Sequence, residues 1–285
     1  MHARTPDLRH RIRGARNLPQ VLRLLENAYE GETCYLLTCG PSIKRYPPES
    51  LRRRLRTHLV FAVKQAYNLV RGVADFHLLN FGNFQRYSYR RPRPILAMLA
   101  HPGHPTWGPT PEICLPFIGD REKWETLRAN ALAERRNFDD YLLSRTYVRP
   151  LGPGIVYEMG VYLAVHLGVS RLITVGWDIG DLGKAHVDHF YEEQASRTTP
   201  RPVGRLLWSL RRVLGPRRYR QLESLAAHLS GRVYNRMRPF PDEIELTSAC
   251  TRDIYLWLKS KGVDLNVISD SPLIDPCIPR TSLNE

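Results

Sequence analysis

The stretch Gly154–Gly176 constrains the fold most. Val156, Met159, Val161, Leu163, Ala164 and Leu167 are apolar through most of a helix, and Gly168 follows where a C-cap belongs. Arg171-Leu172-Ile173-Thr174-Val175 then reads as a buried strand ending at Gly176-Trp177-Asp178. A glycine turn, a buried helix and a buried strand make half of a βαβ repeat, which belongs in a mostly parallel sheet with helices on both faces.

The same grammar recurs elsewhere. Tyr35–Cys39 is a short apolar run stopped by Gly40-Pro41-Ser42, and Leu59–Val63 and Val73–Asn80 are two more. Ile95–Ala100 and Ile113–Ile118 are weaker strand candidates, and Leu265–Ser269 is a late one. Helices are predicted near Leu18–Tyr29, over Leu51–Leu59, over 122–145 and over Leu246–Lys261. These elements predict an α/β, Rossmann-like domain over 33–285. A basic leader over 1–32 precedes it, and a basic helical lid over 180–245 is inserted in it. With 285 residues, 42% of them hydrophobic, the chain can bury one large core.

The five cysteines (34, 39, 114, 250 and 277) form no CxxC pair, and Cys34 and Cys39 flank an apolar run as core residues do. This spacing argues against a zinc site or a disulfide framework and for a reducing cytoplasm. The arginine-bearing N-terminus has no apolar stretch of signal-peptide length, and no run of 18 apolar residues occurs.

Ligands of open parallel sheets bind beyond the carboxyl ends of the strands. Gly40, Pro41 and Ser42 end the first strand, Lys64 and Gln65 the second, Asn80 the third, and Gly176 and Asp178 the strand at 171–175. Gly152-Pro153-Gly154 opens the helix before that last strand. Glycines and a helix N-terminus offer backbone N–H groups and partial positive charge to a phosphate. Asn and Gln offer paired donors and acceptors to a base or a sugar. There is no GxGxxG and no GxxxxGK[ST], which counts against ordinary dinucleotide and P-loop sites. Asp178 is open to two readings, a ligand for a ribose or a metal and a loop cap. His186 and His189, with Asp188 beside them, are candidates for a general base or, by their i, i+3 spacing, for a metal; the plain reading is a solvated loop.

The net charge of +14 calls for acidic partners. Residues 201–240 hold ten arginines and one acid, Glu223, so they carry +9 of that charge. Val203, Leu206, Leu207, Leu210, Val213 and Leu214 line one face of a helix there. Such a helix suits an anionic membrane interface. A packed helix with a solvated basic face is the plainer reading. Nucleic acid ranks last, because no helix-turn-helix, RNA-recognition or zinc signature supports it.

Leu37–Lys44, with Gly40-Pro41-Ser42 inside it, resembles the NGPSL-type turn of bacterial CMP-sialic-acid-dependent sialyltransferases. It also resembles the related domain of motility-associated glycosyltransferases and of MptE-like 6-hydroxymethylpterin pyrophosphokinases. Val63-Lys64-Gln65 is similar to the sialyltransferase "CNQ", Asn80 falls at their donor-binding Asn, and Ser271-Pro272-Leu273 is similar to their SPL. Gly152–Asp178 is similar to the glycine turn, helix, strand and G-x-D of both transferase groups, and Gly183–His186 to the motility-associated branch. The resemblance covers roughly 35–90 and 149–275.

It implies a glycosyltransferase that moves sialic acid or a related nonulosonic acid from a CMP-activated donor to a glycan or lipid-linked acceptor, with inversion. Gly40, Ser42, Gln65 and Asn80 would face nucleotide and sugar, Gly154 and Ile155 would offer backbone N–H groups, and Arg149 falls near an active-site Arg. Tyr191 is the favoured lid tyrosine for the leaving phosphate. No cofactor is required; Mg²⁺ with ATP enters only for the pyrophosphokinase alternative, and a nucleotide-binding protein without catalysis is the third reading. The cytoplasm is the expected location, with peripheral attachment to the inner membrane through 201–240 and oligomerisation both left open. Two departures stand out. Cys39 and Lys64 replace family asparagines. The family's His before the last helix is also missing, with Glu245, Thr247 and Ser248 there, so either Glu245, His186 or His189 would serve as the base or the chemistry differs.

Overall fold

The computed structural model describes residues 1–80, 87–89, 92–100, 110–117, 138–150, 154–180 and 243–283. Seven strands pair, all in parallel: β1 (Thr33–Leu37), β2 (Leu59–Val63), β3 (Phe76–Asn80), β4 (Ile95–Ala100), β5 (Ile113–Pro116), β6 (Arg171–Val175) and β7 (Asp264–Ile268). Their order is β5-β4-β3-β2-β1-β6-β7, an open Rossmann-like sheet. The chain builds outward from β1 through β5, then crosses to the other side of β1 to lay down β6 and β7. The topological switch point therefore lies between β1 and β6, where Leu37 is in register with Val175.

Parallel strands are buried on both faces, and the sequence shows it. All five residues of β2 are buried. Leu59, Phe61 and Val63 join one core layer, Val60 and Ala62 the other. The first layer is covered by α1 (Thr5–Arg13), α2 (Leu18–Leu25), α4 (Val161–His166) and α5 (Glu243–Ser260). The second is covered by α3 (Pro48–Leu55) and by two 3-10 turns, Pro41–Arg45 and Lys64–Asn68.

The basic leader expected over 1–32 is α1, α2 and the turn after them. Leu8, Ile12, Val21, Leu22, Leu25 and Tyr29 pack into the first core layer with the strands. Buried Asp75, just before β3, accepts bonds from His2 N (2.6 Å), Thr5 Oγ1 (2.6 Å) and Val60 N (2.8 Å), and Thr5 Oγ1 in turn bonds Tyr29 Oη (2.6 Å). These bonds hold the N-terminal helices to the amino ends of β2 and β3.

Two helix expectations change. The helix expected over 122–145 is, among its described residues, a 3-10 turn at Phe138–Tyr141 followed by turns. The Arg149 guanidinium takes the carbonyls of Tyr141 (2.8 Å), Thr146 (2.6 Å) and Tyr147 (3.2 Å). The helix after Gly154 opens with a π-helical turn, Val156–Gly160, before α4. Such insertions are frequent at functional positions. The lid (180–245) and the basic segment (201–240) lie, but for Gly180 and the start of α5, outside the described residues.

Candidate functional site at the switch point

The helix formed by the π turn and α4 precedes β6 and runs antiparallel to it, as a crossover must. Its start therefore stands at the carboxyl end of the sheet. A Cβ on Gly160 would lie 3.1 Å from Leu36 Cδ2 of β1, so the helix packs directly over the switch-point strand. Gly154, at φ +117°, makes the turn into it, a conformation L side chains rarely adopt. The first amides of a helix have no intrahelical acceptor, so this end aims donors at the crevice. Ile155 is buried there, and so is Glu158 in the π turn.

The first turn behaves differently. The donors of Gly40–Ile43 are engaged inside the fold. Gly40 N–H bonds Gly176 O (2.9 Å), Ile43 N–H bonds Gly40 O (3.4 Å), and Ser42 N–H bonds Asp178 Oδ2 (2.6 Å). The Ser42 hydroxyl donates to Asp178 Oδ1 (2.7 Å), which also accepts from Ser269 Oγ (2.5 Å). Asp178 thus serves as a loop cap, the second of its two readings. Ser271, also buried, gives its hydroxyl to Ile179 O (2.6 Å).

At the end of β2, Lys64 is left-handed, with φ +45°. Its carbonyl accepts from His77 Nε2 (2.8 Å), a ring fully buried in β3, while Nδ1 meets Tyr89 Oη (2.9 Å). A carbonyl only accepts, so Nε2 carries the proton and the Tyr89 hydroxyl donates to Nδ1. Tyr67 stacks on the ring with centroids 4.7 Å apart, and Tyr87 meets it edge-on at 4.5 Å. Burial pushes the His77 pKa down to about 3. Beside this turn Cys39, a buried core residue as expected, points its thiol at Val63 O (3.4 Å), with Gln65 Oε1 at 3.9 Å. Burial pushes that thiol up to about 11, against the pull of the Lys64 ammonium.

Lys64, Gln65, Asn80, Gly154 and Ile155 therefore stand on one end of the sheet, as do the Gly40–Ser42 and Gly176–Asp178 turns. Arg149 is 1% exposed at the end of β5, paired through Phe117. It stacks 5.2 Å over the Tyr162 ring, and burial lowers its pKa to about 10. Its guanidinium bonds to the main chain, with no carboxylate within salt-bridge distance among the described residues. Glu245 is exposed in the first turn of α5. Gly152, His186, His189 and Tyr191 lie outside the described residues. Sequence reasoning passed over His77 and Glu158, because each sits in an apolar run that reads as core. Among the described residues no cluster of three metal-ligating side chains occurs, and no helix is long and apolar enough to cross a membrane.

No protein-family model and no curated protein matches the chain. Among solved structures it is similar to a MAf glycosyltransferase from Magnetospirillum magneticum AMB-1, at 12% identity and a TM-score of 0.30. The match covers 56% of this chain and 25% of that one, so it spans a quarter of the neighbour's length. A likeness of that size carries no argument about activity; the fold rests on this chain's own seven parallel strands.

Proposed function

We propose that the chain is a glycosyltransferase that transfers sialic acid or a related nonulosonic acid from a CMP-activated donor to a glycan or lipid-linked acceptor. The observation that carries the reading is the helix N-terminus after Gly154, set at the carboxyl end of the sheet over switch-point strand β1. That is where an open α/β sheet receives a nucleotide phosphate. The motif resemblance along 35–90 and 149–275 supports the same assignment.

In this reading the amides of Ile155 and its neighbours receive the nucleotide phosphate. Lys64 faces the sugar carboxylate or phosphate, and Gln65 and Asn80 serve base and sugar. The acceptor hydroxyl gives its proton to a base, Glu245, His186 or His189, as its oxygen attacks the anomeric carbon. The bond from that carbon to the phosphate oxygen breaks, and CMP leaves with the electron pair, met by Tyr191. Fixed donors stabilise the charge that develops on the phosphate. No metal is needed. The basic segment 201–240 holds the enzyme at an anionic membrane beside a lipid-linked acceptor.

A thermal-shift series with CMP, CDP, UDP, GDP, ATP and AMP, each with and without Mg²⁺, tests the reading, because a ligand of the native state raises the melting temperature. Stabilisation by CMP or CDP without metal is expected. Stabilisation by ATP only with Mg²⁺ would replace the reading with a pyrophosphokinase, and silence from every nucleotide would leave a non-enzymatic protein.

A further inference from the structure

The G-x-D after β6 offers a carboxylate at the mouth of the crevice, where an acid ordinarily suggests a metal or a ribose. The surroundings of Asp178 assign it another task. Oδ1 accepts two hydroxyl hydrogens, from Ser42 (2.7 Å) and Ser269 (2.5 Å), and Oδ2 accepts the Ser42 amide (2.6 Å). Three of the carboxylate's four lone pairs are thus taken, both on Oδ1 and one on Oδ2.

The carboxylate gathers three strand ends. Ser42 follows β1, Asp178 follows β6 and Ser269 follows β7. The β1 and β6 exits are further zipped by Thr38 N to Val175 O and Gly40 N to Gly176 O, both 2.9 Å. A Cβ on Gly40 would lie 2.5 Å from Asp178 Oδ2 and collide with Gly176 O, so only glycine lets the turns close. Behind Ser269, the amide of Ser271 bonds Ser269 Oγ (3.1 Å), and the Arg280 guanidinium bonds the carbonyls of Ser269 and Ser271. Ser269 thus meets Asp178 on the same oxygen as the Ser42 hydroxyl, and Arg280 holds the Ser269–Ser271 segment that presents it.

We infer that Asp178 is a positioning residue that latches the Gly40–Ser42 turn beneath the nucleotide, and that it acts through Ser42 without touching metal or ribose. The inference rests on the nucleotide-binding reading above. It also separates two roles that a simple deletion confuses. Asparagine keeps the shape and the latch, because Oδ1 can accept the Ser42 amide while Nδ2 donates to a serine hydroxyl turned to receive it. Asparagine is a poor substitute for a carboxylate that binds a divalent cation.

The test compares Asp178→Asn, Asp178→Ala, Ser269→Ala and the double variant Asp178→Ala/Ser269→Ala, each checked for folding by circular dichroism. CMP and CDP affinity is read by calorimetry with and without Mg²⁺, and Ser42 amide exchange by NMR. Asp178→Asn is expected to bind within about threefold of wild type and to keep Ser42 protected. Asp178→Ala is expected to lose about tenfold in affinity, an effect of the size one charge-assisted bond carries, with Ser42 exchange accelerated. Ser269→Ala should weaken binding a few fold, and its effect should vanish in the Asp178→Ala background. Equal losses in the Asn and Ala variants, or binding that strengthens with Mg²⁺ only when Asp178 is present, would overturn the inference. So would a folded Asp178→Ala protein that binds like wild type. Should Asp178→Ala not fold, the Asn and Ser269→Ala variants decide. Should wild type bind no nucleotide, the functional reading falls, and Ser42 exchange alone still reports whether the latch exists.

Discussion

His77, paired with Ala62 across β2 and β3, and Lys64, just past the end of β2, are joined by one hydrogen bond of 2.8 Å from the imidazole Nε2–H to the Lys64 carbonyl. The bond ties a neutral, fully buried ring to a lysine whose φ of +45° lies in the left-handed region. Left-handed backbone costs an L residue roughly 1–2 kcal/mol, so the bond helps hold the Lys64-Gln65 turn in a conformation it would otherwise leave.

Acid sensitivity follows from the ring. The unfolded chain protonates His77 near its ordinary pKa of 6.5, while the folded chain resists until about pH 3. Between those values the unfolded state binds the extra proton. The contribution is complete above pH 6.5 and falls as pH drops, by up to about 1.4 kcal/mol per pH unit. Urea titrations from pH 7.5 to 4 should show this limb in wild type. His77→Phe should be less stable at pH 7, because Tyr89 and the Lys64 carbonyl lose their partner, and its limb should be shallower. An unchanged slope would show that other groups govern the acid limb.

The lysine itself sets stability against binding. Asparagine tolerates left-handed backbone far better than lysine does. Lys64→Asn should therefore raise stability by about 0.5–1 kcal/mol, seen as a higher melting temperature. The same change removes a cation from the crevice rim, so affinity for CMP or CDP should fall and lose part of its salt dependence. A variant that is stabilised and binds as tightly as wild type would remove Lys64 from the ligand's surroundings.

Much of the sheet was legible, because most strands are short runs of apolar residues soon cut off by Gly, Pro, Lys or Asn. Leu59–Val63 and Arg171–Val175 match their predicted bounds, and Ile95–Ala100 does too. The first turn was legible as a turn, but its use was not. Ser42 and Asp178 are 136 residues apart, and nothing local marks the amide of one as reserved for the carboxylate of the other. The arginines of residues 1–32 masked Leu8, Ile12 and Tyr29, which pack on the sheet, and Thr5, which bonds Asp75 70 residues away. His77 read as one polar letter in an apolar strand, since its role depends on a carbonyl in a neighbouring turn.

Arg149 gives a prediction in which charge is kept and shape is lost. Its planar fork spans the carbonyls of Tyr141, Thr146 and Tyr147, and a lysine ammonium has neither the reach nor the plane to do so. Arg149→Lys should leave at least one carbonyl without a partner, lowering stability by about 1–3 kcal/mol. The 141–147 loop should become the first site cut in limited proteolysis. Cleavage at an unchanged rate would show that the loop is held by its other contacts, with Arg149 free to serve the ligand.

The tightest constraint is steric and calls for a paired comparison of glycines. Gly40 has no room for a methyl group: the obstacles are the Gly176 carbonyl and the Asp178 side chain, with Oδ2 at 2.5 Å and Cβ at 2.7 Å. Neither can retreat, since Gly176 O already accepts the Gly40 amide and Asp178 is held by two serines. At Gly14, by contrast, φ is −79° and the nearest atom to a new Cβ is 3.4 Å away. Gly40→Ala should therefore cost about 3 kcal/mol or more, in the upper range for overpacking, and should abolish nucleotide binding in whatever fraction stays folded. Gly14→Ala should change stability by less than about 1 kcal/mol. Denaturant midpoints of the two variants check the contrast. Equal, small effects would mean that the β1 and β6 turns can part without loss, and the latch through Asp178 would then have nothing to hold.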